Sequence, residues 1–312
     1  MTTTADKRAP DILEDTQTGS RIDDFTIAYR IAHGMTADVF AVWHHRLRTP
    51  LVCKRLRPAD EDYAKWRKLL RAEAAALAQL NHPGIVRLVA QNMRARLPYL
   101  LLEHIDGKTL RDELTAQGCF PADVAVRLVQ HTGAALAHAH DKGYVHRDLK
   151  PSNIILRGGR PVLLDFGVVW KWKSARRPPD RSGTPQYLAS EQILRAPLTP
   201  ATDVYGLGLL LFEFITGERA FRASDAALRH DKRASLSARY PQLIEDAPLK
   251  LLRKKGTASR ALEPIIARCL ARDPCERYAN VAQLLTAIDP FTSVKVWPQD
   301  AARERKDFSP FA

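Results

Sequence analysis

The hydrophobic pattern of this chain changes period near residue 106, and any fold it adopts has to accommodate that change. Before it, runs rich in aliphatic and aromatic residues, FTIAYRIA (25–32), VFAVWHH (39–45) and PLVCKRL (50–56), are separated by turn-sized gaps, the signature of an antiparallel meander. Residues 60–80 break the alternation: Trp66, Leu69, Leu70, Leu77 and Leu80 share one face at helical spacing. Two more strand-like runs, IVRLVAQNM (85–93) and PYLLLEHI (98–105), complete five strands and one helix. Beyond Asp106 and Gly107 the pattern is mainly helical, with helices expected over 122–141, 201–216 and 261–289 and a weakly patterned basic stretch between the last two. An α+β chain follows, with a strand-rich lobe at 22–105 and a larger helical lobe at 106–289. Residues 1–21 are polar and expected to be disordered, and 290–312 form a tail past the last expected helix.

Glu73 violates the helical pattern, since it lies in the middle of the apolar stripe. A carboxylate on the packed side of a helix needs a cation or a shifted pKa. Polar chemistry also gathers in YVHRDLKPSNIIL (144–156), where Asp148, Lys150 and Asn153 share one loop between a helix and a strand. Asp and Asn cap turns commonly, which accounts for one such residue. It does not account for a carboxylate, an ammonium and an amide together, followed by a second acid, Asp165, in DFG. RPVLLDFG (160–167) reads as a short strand entering a turn, and the aperiodic 168–183 as a long loop.

Composition narrows the classes. With 312 residues and 45% apolar content the chain can bury a large core. The four cysteines, Cys53, Cys119, Cys269 and Cys275, show no paired metal-ligand spacing, which favours ordinary reduced thiols. The densest apolar run, Val204–Ile215, carries Glu213 and falls short of the roughly 18 residues a membrane span needs. The N-terminus lacks an apolar h-region, so a soluble, cytoplasmic chain is expected. A net charge of +13 raises the local concentration of acidic partners of several kinds. The basic clusters KWKSARR (171–177) and LLRKK (251–255) come with no nucleic-acid motif, so they are read as solvated charge and not as a nucleic-acid site.

Taken in order, the motifs resemble those of eukaryotic-type serine/threonine protein kinases, in particular the soluble bacterial kind. They are Lys54 in LVCK, Glu73, HRDLKPSN (146–153), DFG (165–167), SGTPQYLASE (182–191), DVYGLG (203–208) and DPCER (273–277). The resemblance spans residues 22–289 and implies a two-lobed protein-kinase-like fold: a five-stranded antiparallel sheet plus one helix in the N-lobe, and a mainly helical C-lobe. The implied activity is transfer of the γ-phosphoryl group of ATP to Ser or Thr hydroxyls of a protein, including the enzyme itself. By the same resemblance Lys54 holds the α- and β-phosphates, with Glu73 fixing its ammonium. Asp148 takes or orients the acceptor proton, Lys150 approaches the transferred phosphoryl and Thr184 shapes the acceptor site. Asn153 and Asp165 carry magnesium, or manganese in its place, through oxygen. Val39 and Val52 cover the adenine with Ile155 beneath it, the backbone from Glu103 to Ile105 meets its edge, and Leu102 borders the deeper pocket. Asp203 holds the catalytic-loop backbone, Glu191 pairs with Arg277, and His146 packs against the loop.

The chain departs from the family at two places. AHGMTADV (32–39) keeps only the middle glycine, Gly34, of G-x-G-x-x-G-x-V, so Ala32 and Ala37 imply a stiffer phosphate loop. Weaker nucleotide binding, or at the extreme a nucleotide-binding pseudokinase or scaffold, would follow. A small-molecule kinase is a further alternative, opposed by GTPQYLASE and Lys150. Ser190 stands where the family has the proline of A-P-E, with a modest structural effect expected. Arg147 resembles the class whose activation loop is ordered by a phosphate. That loop offers Ser174 and Ser182 as hydroxyls, or is held by its own Arg176, Arg177 and Arg181 against acidic groups. The protein substrate is unidentified. Ser152 and Thr109 stand where basic-directed members carry acids, and the positive charge points to an acidic one. Autophosphorylation would bring self-association.

Overall fold

The computed structural model describes residues 17–34, 36–57, 62–173, 177–178, 180–222 and 233–292. The N-lobe sheet comprises β1 (Arg21–Ile22), β2 (Phe25–His33), β3 (Ala37–His44), β4 (Thr49–Leu56), β5 (Leu88–Asn92) and β6 (Tyr99–Glu103), in the order β1-β2-β3-β4-β6-β5. All neighbours are antiparallel. The sheet thus has six strands and not five. The added strand is two residues long, Arg21 facing Thr26 and Ile22 facing Phe25, too short to carry a periodic signal. The expected strand at 85–93 starts late, because Ile85 and Val86 reach the other lobe, with the Val86 amide donating to the Leu163 carbonyl at 2.9 Å.

Alternation along the strands sends side chains to two cores. Phe25, Ile27, Phe40, Val42, Leu51, Cys53, Tyr99 and Leu101 pack on the outer face. The inner face, with Ala37 and Leu56, packs on α1 (Tyr63–Leu77) through Leu70, Ala74 and Leu77, as a period of two requires.

The C-lobe begins with α2 (Leu110–Gln117), capped by the Thr109–Asp112 capping box, and α3 (Ala122–Asp141). Short strands β7 (Tyr144–Val145), β8 (Ile154–Arg157), β9 (Arg160–Leu163) and β10 (Trp170–Lys171) frame the loops of the cleft; β7 pairs with β10 and β8 with β9. After α4 (Ser190–Leu194), every residue of α5 (Pro200–Thr216) is buried, the state of a helix that is apolar all round. The expected helix over 261–289 is divided into short segments that include α6 (Glu263–Cys269) and α7 (Val281–Ile288). The break is local chemistry: Pro274 cannot continue a helix, and Asp273 caps the Cys275 amide at 2.8 Å.

α5 and α6 touch at Gly208, where an added Cβ would lie 2.4 Å from the Cβ of Cys269, itself fully buried. Helix propensity alone favours alanine by about 1 kcal/mol. Overlap between two backbone-fixed carbons outweighs it, so Gly208→Ala is expected to destabilise by about 1–3 kcal/mol. A denaturant midpoint equal to or above that of the parent would contradict this packing.

Candidate active site

Lys54 projects from β4 toward the inner face, between Cys53 and Arg55, which face the other way. Its ammonium donates to both Glu73 oxygens, Oε1 and Oε2, and to Asp165 Oδ1, each at 2.8 Å. The Glu expected to need a cation has it: Glu73 is 1% exposed on α1. Burial pushes the Glu73 carboxyl up against the pull of Lys54. Burial would lower Lys54, but Asp165 and Glu73 overcome it and raise the ammonium, keeping it charged. At Asp165 burial works upward, and the Lys54 charge and the Gly167 amide reverse it, holding the carboxyl well below its usual range. Its side chain is still 44% exposed to the cleft.

The loop of residues 146–153 is fixed from beneath by α5. Asp203 accepts from the amides of His146 at 2.8 Å and Arg147 at 3.0 Å, and pairs with His140 Nε2 at 2.7 Å. His146 is buried against the Phe166 ring, centroids 4.8 Å apart, and burial lowers its pKa. Above it, each Asp148 oxygen has protein donors. Oδ1 accepts the Thr184 amide and hydroxyl, each at 2.8 Å; Oδ2 accepts Lys150 Nζ at 2.7 Å and Asn153 Nδ2 at 3.0 Å. Lys150 also donates to Thr184 Oγ1 at 2.7 Å. The activation segment is thereby stitched to the catalytic loop at its acid.

The Asn153 amide nitrogen is spent on Asp148, its oxygen therefore pointing the other way, and no described residue donates to Asn153 Oδ1 or Asp165 Oδ2. Two free hard oxygens suit magnesium or manganese. No group of three His, Cys, Asp or Glu that could hold a metal occurs among the described residues, so such a cation would complete its shell with phosphate or water oxygens.

A cavity of about 480 Å³ opens beside these groups. Ala32, Val39, Val52, Lys54, Leu102 and Glu103 line it, as do Ile105, Asn153, Ile155 and Asp165. Its apolar walls suit a flat ring. Ile105 follows β6, and its amide and carbonyl make no hydrogen bond among the described residues, leaving a donor and an acceptor for a heterocycle edge. Val86, Leu164 and Asp112, which the pattern of residues missed, also line the cavity, as does Thr109; Thr109 and Asp112 form a capping box that TLRD makes readable. A larger groove of about 1150 Å³ lies in the C-lobe, lined by Trp172, Leu194 and Arg272 among others. It holds none of Lys54, Glu73, Asp148, Lys150, Asn153 and Asp165, so chemistry rather than size selects the smaller cavity.

The activation segment differs from expectation. Ser174 and Arg176 lie outside the described residues. Arg181 donates to the Ile193 carbonyl at 2.5 Å and not to an acid, and Arg177 is exposed. The polarity is reversed: an acid of the segment, Asp180, meets Arg147. Glu191 and Arg277 form the buried bidentate pair, at 2.8 and 2.9 Å. Ser190 joins them, its hydroxyl donating to the Arg272 carbonyl and lying 3.4 Å from Arg277 Nη2. The serine therefore contributes a hydrogen bond where a proline would give none.

Lobes, cleft and catalytic loop together define a protein kinase. The protein kinase domain model matches residues 25–287, and the chain belongs to that family. Among similar proteins, the serine/threonine-protein kinase PknL of Mycobacterium tuberculosis is 33% identical over 262 residues, 82% of this chain and 62% of its own length. The serine/threonine-protein kinase PknB of Mycobacterium leprae is 30% identical over 270 residues, 84% of this chain and 42% of its own length. That of Mycolicibacterium smegmatis is 28% identical over 271 residues. The chain thus spans less than two thirds of the length of these relatives.

The described residues of 32–39 are held by several hydrogen bonds. Gly34 donates to the Ala37 carbonyl at 3.1 Å, and a Cβ on Gly34 would sit 2.5 Å from that oxygen, so only glycine fits. Arg57 Nη1 holds the Gly34 carbonyl at 3.3 Å, and His33 pairs with Asp38 at 2.8 Å. Ala32 is exposed at the cavity rim, whereas Ala37 is buried in the inner core. Ala37→Gly is therefore expected to lower stability by about 1–2 kcal/mol. Calorimetry should find its ATP affinity within about twofold of the parent; marked tightening would mean that the Ala37 methyl faces phosphate.

Proposed function

We propose that this chain transfers the γ-phosphoryl group of ATP to serine or threonine hydroxyls of a protein, itself included. The observation that carries this is the Lys150 ammonium bridging Asp148 Oδ2 and Thr184 Oγ1, each at 2.7 Å, beside a cleft with a paired lysine and two free oxygens. Lys150 after Asp148 and the names of the serine/threonine-protein kinase relatives support the hydroxyl class of acceptor.

Phosphoryl transfer is mostly positioning and charge neutralisation. The purine enters between Val39 and Val52 on one side and Ile155 on the other, its edge toward Ile105. Lys54 takes the α- and β-phosphates. Asn153 and Asp165 would hold magnesium or manganese, which when bound would offset phosphate charge. An acceptor hydroxyl docks at Asp148, whose carboxylate orients and receives its proton. Lys150 lies on the same side and stabilises charge on the moving phosphoryl. Thr184 fixes Asp148 Oδ1, leaving one rotamer for the carboxylate.

The dependence on ATP favours the cytoplasm as the place of action, in keeping with four free cysteines. No helix among the described residues is long and apolar enough to cross a membrane. The charge of +13 favours an acidic protein partner, and phosphorylation of one copy by another would bring two copies together.

Purified protein with magnesium and labelled ATP is expected to incorporate phosphate into itself and into casein. Asp148→Asn should lower the rate by about 10²–10⁴-fold while retaining ATP binding. A parent protein that binds ATP and moves no phosphate would support the scaffold reading instead.

A further inference from the structure

Arg147 is the least ordinary residue of the catalytic loop. Its φ is +75°, a backbone state that a residue with a side chain avoids, and its side chain is 3% exposed. Burial lowers the guanidinium's hold on its proton, against the pull of Asp180. Charge this deep needs a counter-charge. Nη1 donates to the Val168 carbonyl at 3.1 Å, just past DFG; Nη2 donates to the Asp180 carbonyl at 3.3 Å and to Asp180 Oδ1 at 3.4 Å. Trp170 lies against the guanidinium at 5.9 Å. Among the described residues, Asp180 is the carboxylate in ion-pair contact with it.

Asp180 is held for this role. Ser182 donates its hydroxyl to the same oxygen at 2.5 Å. Burial acts to raise the carboxyl, and Ser182, Arg147 and then Lys65 of α1 outweigh it, so it stays ionised. One carboxylate of the activation segment thus sits under the influence of three elements: the catalytic loop, the segment itself and the helix that carries Glu73. The Arg147 carbonyl is in turn fixed by Gln192 Nε2 at 2.9 Å, and its amide by Asp203. Displacement of the guanidinium would be felt at Asp148, the next residue.

We propose that Asp180 is a positioning residue: its carboxylate supplies, from within the chain, the negative charge that Arg147 requires, so the segment carrying Thr184 docks on Asp148 without a phosphate on the loop. Asp180 touches no reacting atom. It acts through Arg147, and its loss affects turnover more than nucleotide binding. Ser182, with its hydroxyl committed to Asp180, serves as a brace rather than as the site whose modification orders the loop.

The test uses the full chain, freed of phosphate by a protein phosphatase, and its Asp180→Asn and Asp180→Glu variants. Initial rates on casein are taken over a period in which mass spectrometry finds no phosphate on residues 168–183. Dephosphorylated parent is expected to turn over without a lag, Asp180→Asn to lose about tenfold or more in kcat with KM for ATP within about twofold, and Asp180→Glu to recover most of the rate. Hydrogen exchange at the Thr184 amide, which donates to Asp148 Oδ1, should quicken about tenfold in Asp180→Asn and revert in Asp180→Glu. A parent that is active only once its loop is phosphorylated, or an Asp180→Asn protein with unchanged kcat, overturns the proposal. The rate measurement rests on the phosphoryl-transfer function above; the exchange measurement does not. A chain with no turnover but with Asp180-dependent protection at Thr184 would fail as an enzyme while keeping the clamp, and unchanged exchange would remove the clamp whatever the activity.

Discussion

The catalytic loop rests on one buried carboxylate. Asp203 sits near the start of a helix with no exposed face, where an ion stripped of water costs several kcal/mol unless donors replace that water. The His146 and Arg147 amides and the His140 ring supply them. Burial acts to raise this carboxyl and those donors depress it below its usual value, so its contribution to stability is present above the ordinary carboxylate range and is lost as pH falls from that range through the depressed value. The two amide bonds to Asp203 hold Arg147 at positive φ, a strain of about 1–3 kcal/mol. Helix, strained turn and Asp148 are thus one mechanical unit, and a helix buried along its whole length is the element that aims the acid.

The cleft is arranged on a different principle. All three protons of the Lys54 ammonium can be placed, two on Glu73 and one on Asp165. An incoming phosphate has to take one of those places. Glu73 has no solvent to turn to, whereas Asp165 faces the cleft with nearly half its surface. The buried partner therefore fixes the lysine, and the exposed partner is the one that can exchange it for other cations. Had both acids been buried, the ammonium would be a structural ion with nothing left to offer a ligand.

Much of this was legible in the sequence because it is written in period and short-range spacing. The longer strands, α1 and α3 follow from alternation and the helical stripe, α5 from a long apolar run, and Glu73 announced its cation by interrupting the stripe of α1. The loop residues Asp148, Lys150 and Asn153 lie so close together that any turn gathers them. What escaped lacks such a signal. A two-residue strand has no period. Asp180 lies in an aperiodic basic segment and meets Arg147 from 33 residues away, with no short-range spacing to mark it. The glycine pattern alone makes Ala37 a missing glycine, whereas the alternation Ala37, Val39, Ala41 along β3 sends its methyl inward.

A further buried acid illustrates how the acceptor side is stiffened. Glu213 of α5 accepts the Tyr187 hydroxyl at 2.6 Å and Arg111 at 2.7 Å, and Arg111 also donates to Tyr187 at 3.0 Å. Tyr187 closes the 3-10 turn that begins after Thr184. Burial and the Glu213 charge raise the tyrosine's pKa, so its hydroxyl remains a donor. The segment bearing Thr184 is therefore tied at one end to Asp148 and at the other to α5, which also carries Asp203. Both ties end on carboxylates without solvent access, one reached through the catalytic loop and one through a tyrosine, so the distance between acid and acceptor segment is set by the spacing of Asp203 and Glu213 along a single rigid helix.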